Sequence, residues 1–87
     1  MDSNVKSYIE TMKLLMSIGS VEDITDFSVA YDNLQAGAFG YLLAKDVVSD
    51  ENSFGNTVLE PVVKAVKEVY GEPNIGNLYK LITETVV

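Results

Sequence analysis

Gln35-Ala36-Gly37-Ala38-Phe39-Gly40-Tyr41-Leu42-Leu43-Ala44 is the stretch that fixes how many helices this chain forms. Its two Gly, set within four residues, lower helix propensity by about 2 kcal/mol relative to Ala, and Gly commonly closes a helix. A break near Gly37 is therefore expected, with a further helix over residues 38–48. If the helix were continuous, Ala36, Gly40 and Ala44 would fall four apart on one smooth ridge. Another backbone could pack closely on such a ridge, at a helix crossing or in a second copy of the chain.

On the N-terminal side, Ile24, Phe27, Tyr31 and Leu34 recur at helical spacing with Ala30 beside them. Ser20 followed by Asp23 has the spacing of a capping box, which would put Glu22 and Asp23 where a helix dipole favours negative charge. Further back, Val5, Tyr8, Ile9, Met12, Leu15 and Met16 mark one face of a first helix over residues 5–18, with Ser3 or Asn4 as its cap and Gly19 as its stop.

On the C-terminal side, the polar residues 49–56 predict a loop interrupted only by Phe54. Thr57 and Glu60 again have capping-box spacing, and Pro61 is tolerated in a first helical turn. Val62, Val63, Val66, Val69 and Tyr70 then give the apolar face of another helix, closed by Gly71-Glu72-Pro73. Asn74 caps a last one, with Ile75, Leu78, Tyr79, Ile82 and Val86 on its face. No segment alternates with period two, so strands are not expected. The fold class predicted is all-α, a compact bundle of four to five short helices in a single helical domain over residues 1–87.

Composition narrows the chemistry. Among 87 residues there is no His, Cys, Trp or Arg. Without imidazole or thiol the chain has no ordinary proton shuttle near neutral pH, no Ser-His or Cys-His pair and no soft-ligand metal site. The expectation is a non-enzymatic protein that takes no cofactor. The absence of Cys fits a reducing compartment. The charged N-terminus and the short apolar run 14–18 point away from export and membrane insertion, hence to the cytosol of a producer or of an infected host cell. At 47% apolar, the chain carries more hydrophobic residues than a small bundle buries on one stripe per helix. Homo-oligomerisation or binding to a partner follows as an expectation.

The net charge of −7 is uneven. Between residues 20 and 51, seven carboxylates face the single Lys45. With six dispersed Lys and no Arg, there is no basic footprint for phosphate, so direct nucleic-acid binding is not expected. A basic protein partner is. The residues expected at that interface are Glu22, Asp23, Asp26, Asp32, Asp50 and Glu51. Phe39, Tyr41 and Phe54 join them, because aromatic rings beside Gly-containing breaks are hard to bury and aromatics anchor interfaces.

Residues 50–61 match a calcium loop at Asp50, Asn52 and Gly55 but put Phe54 and Pro61 at ligand positions, so a metal site is not predicted. Gly37 and Gly40 lack the Lys and hydroxyl of a phosphate-binding loop. The five residues 36–40 are similar to the small-residue turns between the two helices of small type VII secretion proteins. There is no Trp-x-Gly beside them, and the Gly71-Glu72-Pro73 break would interrupt the second helix of such a hairpin. Three functions follow as expectations. The first is an acidic inhibitor docking on a basic nucleic-acid-handling protein, as an immunity protein, antitoxin or phage anti-defence protein does. The second is a self-associating structural or regulatory subunit, and the third a small secretion-associated helical protein.

Overall fold

In the computed structural model, which describes residues 1–87, helix α1 spans Ser3–Ile18. Its cap is Asp2, one residue before the expected Ser3 or Asn4. The Asp2 carboxylate accepts from the backbone N–H groups of Asn4 and Val5 at 2.7 and 3.2 Å. Val5, Tyr8, Ile9, Met12 and Met16 are buried on the predicted face. Thr11 is buried beside them and donates its hydroxyl to the Ser7 carbonyl at 2.7 Å. Gly19 closes the helix through its N–H to Leu15.

Helix α2 runs unbroken over Ile24–Ala44. Its cap is Asp23, whose carboxylate accepts from Asp26 N–H at 2.8 Å, while the Asp26 carboxylate accepts from Glu22 N–H at 3.1 Å. Ser20 sits in the preceding turn at φ 55 and caps nothing, so the cap expected at Ser20 lies three residues later and forms no reciprocal box.

The break expected near Gly37 does not form, and neither does a separate helix over 38–48. The physical reason is burial. Phe27, Leu34, Ala38 and Leu42 continue one buried stripe across both glycines. Burying a Leu side chain contributes about 1.5–3 kcal/mol, so Leu34 and Leu42 together outweigh the propensity penalty of the two Gly. Gly37 also lies where α2 crosses α1: a Cβ built on it would stand 3.1 Å from Leu15 Cδ1. After Ala44 the chain turns through Asp46 at φ 58 and folds Val48 back into the core.

Gly40 has open space where a Cβ would stand. Gly40→Ala should therefore raise stability by about 1 kcal/mol in chemical denaturation at low micromolar concentration. Gly37→Ala, which crowds Leu15, should give less. Equal gains at both sites would contradict the close approach of Leu15 to Gly37, and no gain at Gly40 would contradict an unbroken α2.

The loop predicted over 49–56 is mostly helix. Helix α3, Glu51–Phe54, passes into a π-helical turn, Gly55–Leu59, and on into helix α4, Glu60–Tyr70. The cap is Asp50: it accepts from Ser53 N–H at 2.8 Å, and the Ser53 hydroxyl accepts from Asp50 N–H at 3.1 Å. Thr57 and Glu60 form no cap, since both lie inside the helical run. The π turn has a cause in Pro61, which has no N–H to give Thr57 and whose ring would strike that carbonyl in an α-helix. Widening the turn relieves the clash. The Thr57 carbonyl accepts instead from the Asn4 side chain of α1 at 3.0 Å.

Gly71, at φ 92, ends α4 in a backbone conformation that favours Gly. Asn74 caps helix α5, Ile75–Glu84, through Asn77 N–H at 2.8 Å. The helix stops before the expected Val86, which is 95% exposed beyond its end. At that end Thr85 is held by Lys13, whose Nζ donates to its carbonyl at 2.6 Å.

The result is an all-α bundle. Helix α1 lies at its centre against α2, the π turn, α4 and α5, and α5 also packs on α2 and α4. Helices α2 and α4 flank α1 without packing along one another. The buried apolar side chains form one connected core, in which Tyr8, Ile9, Met12 and Phe27 are completely enclosed.

Candidate functional site

The acidic residues are not gathered on one face. Because residues 24–44 form a single rod, its ends stand about 30 Å apart. Glu22, Asp23 and Asp26 lie at one end, and Asp46, Asp50 and Glu51 lie at the other. Asp32 is alone and exposed between them. Asp23 and Asp50 cap helices, and Asp26 ties down the turn before α2.

The three aromatic residues divide. Phe54 is buried and Phe39 half-buried, with their ring centroids 5.2 Å apart. They belong to the packing between α2 and α3, because α3 is helical and turns Phe54 inward. Tyr41 is exposed, and Lys45 Nζ lies 5.4 Å from the centre of its ring.

Ala36, Gly40 and Ala44 are all exposed, and no part of the chain packs on Gly40. The helix crossing uses Gly37 instead, a quarter-turn away. The outward face of α2 is Val29, Asn33, Ala36, Gly40 and Leu43, every one exposed, and Val29 is 84% so. Their 4-3-4-3 spacing is that of a coiled-coil seam, and Ala and Gly at its middle allow close approach. The seam itself carries no charge, and Asp26 and Asp32 flank it.

A second feature has no counterpart in the sequence motifs. Between α2 and α4, over a floor made by α1, lies a cleft of about 250 Å³ whose walls are mostly apolar. At its polar end the enclosed Tyr8 hydroxyl donates to Gln35 Oε1. Tyr31 stands alongside. Burial, with Tyr31 nearby, pushes the Tyr8 hydroxyl well above the usual phenol range. Burial first and the Asp32 carboxylate second raise Tyr31, against a smaller lowering by the Gln35 side chain. Both rings are therefore neutral donors at physiological pH. In the sequence Tyr8 and Tyr31 look like core residues. The available signal was Gln35 four residues after Tyr31, on the same helix face, together with the need of a buried phenol for a partner.

No group of three or more carboxylates is placed to hold a metal ion. The residues of the calcium-loop match are helical from Glu51 onward. Residues 36–40, similar in sequence to a secretion-protein turn, form no turn. No helix is long and apolar enough to cross a membrane. Comparison with family models, curated proteins and solved structures finds no match to this chain.

Proposed function

We propose that this chain is a non-catalytic interaction protein that self-associates through the outer face of α2. The observation that carries this reading is the uncovered row Val29, Asn33, Ala36, Gly40 and Leu43. An antiparallel pair centred on Ala36 sets Val29 against Leu43 and Asn33 against Gly40, so each larger side chain meets a smaller or apolar one. A parallel pair would instead place Asp26 and Asp32 beside their own copies, which like-charge repulsion disfavours. One helix pair covers less than the standard interface of roughly 1,600 Å², so association in the micromolar range is expected.

Sedimentation velocity from low to several hundred micromolar should show a monomer passing to a dimer. Gly40→Glu should shift that transition upward at least ten-fold in concentration while helicity is kept, since its site is open. A clean monomer throughout the range removes the reading.

A second reading is supported by the carboxylate excess around α2: an acidic antagonist on a basic, nucleic-acid-handling protein in the cytosol. Its contacts would be Glu22, Asp23, Asp26 and Asp32 at one end, with Asp50 and Glu51 at the other and Tyr41 beside Lys45. Electrostatic docking of that kind weakens with salt. Replacing Glu22 and Asp32 with Lys should lower partner affinity and flatten its salt dependence. Unchanged values would count against the acidic docking.

A further inference from the structure

We propose that the cleft between α2 and α4 binds a neutral, largely apolar small molecule that presents one oxygen acceptor, such as a ketone, ester or amide carbonyl, to Gln35 and Tyr31. The inference is independent of self-association, because the cleft opens on the side of α2 facing α4.

Size sets the first constraint. The volume is about 250 Å³, larger than the roughly 150 Å³ cavity that takes benzene. A single ring with a short substituent fits. Charge sets the second: the walls are built from residues such as Leu59, Val62, Val66 and Leu78, and no ionisable side chain other than the two phenols lines the cleft. A charged ligand would lose its hydration without a counter-ion.

Hydrogen bonding sets the third. The Gln35 carbonyl oxygen is occupied by Tyr8 and its amide also faces the Tyr31 hydroxyl, which leaves one N–H as a donor at the polar end. Gln35 and Tyr31 both line the cleft, and no buried side-chain polar atom lacks a partner, so a donor left unused on either is open to solvent. The Tyr31 hydroxyl is a second donor, held protonated by its surroundings. A ligand that meets this pair must bring an acceptor. Val63 and Ile75, both substantially exposed, form an apolar rim through which it would enter.

The test uses three probes of similar size in protein-observed NMR: acetophenone, ethylbenzene without the oxygen, and benzoate with a charge. Acetophenone should shift the Gln35 side-chain amide and the Val62, Val66 and Leu78 methyls saturably, and bind about ten-fold more tightly than ethylbenzene. Benzoate should not bind. Tyr31→Phe should narrow the acetophenone preference several-fold and leave ethylbenzene unchanged. Val63→Phe, at the exposed rim, should block both without touching the core.

Absence of saturable shifts at millimolar acetophenone in folded protein overturns the proposal. So does equal binding of all three probes, which would mean unselective adhesion. If the Val63 and Ile75 signals move with protein concentration alone, the occupant is a second copy and the small-molecule site is wrong.

Discussion

Phe27→Ala should remove about 3–5 kcal/mol of stability, a large share of what an 87-residue protein possesses. The side chain is completely enclosed where α2 meets α5, with its ring 5.9 Å from that of Tyr31 and 5.3 Å from that of Tyr79. Truncation would lose the buried area, leave a cavity and deprive both tyrosines of an aromatic neighbour. In a domain of this size each kcal/mol moves the midpoint by roughly 4–8 °C, so thermal unfolding should fall by more than about 12 °C. Val29→Ala on the same helix removes an exposed side chain and should change little at concentrations below those at which the chain dimerises. Calorimetry on the two variants decides the matter. A loss below about 1.5 kcal/mol at Phe27 would mean that α5 does not pack on α2 as described.

The second large effect is alkaline. Tyr8 is enclosed, and its hydroxyl is held protonated in the folded protein far above the value of an exposed phenol. Once pH passes about 10, the unfolded chain loses this proton and the folded chain keeps it. The unfolded state then binds fewer protons, so stability falls as pH rises. Below pH 10 both states are protonated and no dependence arises from this group. Above it, Tyr8 alone should cost about 1.4 kcal/mol per pH unit until the folded hydroxyl ionises. Tyr31 shifts in the same direction but is about half open to solvent, and it contributes less.

The measurement is urea denaturation at pH 8, 10, 11 and 11.5 for the wild-type protein and Tyr8→Phe. At pH 8 the variant should lose about 1 kcal/mol with its hydrogen bond to Gln35. By pH 11.5 it should be the more stable of the two. Lysine titration affects both proteins alike, so the crossing is the readout. Parallel curves would show that the Tyr8 hydroxyl is not buried.

Local signals located most of the helices. The apolar spacing of Val5, Tyr8, Ile9 and Met12 is buried as a face of α1. Asn74 caps α5 and Gly71 ends α4, since both act through atoms within a few residues of themselves. The errors share one origin. The propensity of Gly37 by itself predicts a break, whereas the stripe from Phe27 to Leu42 and the close approach of Leu15 decide that α2 continues. The polar neighbours of Phe54 predict a surface ring, and only the helical turn begun at Asp50 faces it toward Phe39.

The candidate surfaces divide in the same way. Periodicity held the small-residue ridge of α2, but whether another helix covers it could not be read from spacing. The cleft was hidden altogether, because Tyr8 and Gln35 stand 27 residues apart and meet only when α1 crosses α2.

From sequence alone come the helical class, the Asn74 cap, the stops at Gly19 and Gly71, the excess of negative charge and the lack of imidazole and thiol chemistry. Each depends on residue type or on neighbours within one or two turns. Tertiary structure alone decided that α2 is one rod, that its acids stand at opposite ends and that a neutral cleft opens beside α4. Those outcomes depend on which side chains different helices bury against one another, and burial between distant segments outweighs the local preferences a sequence displays.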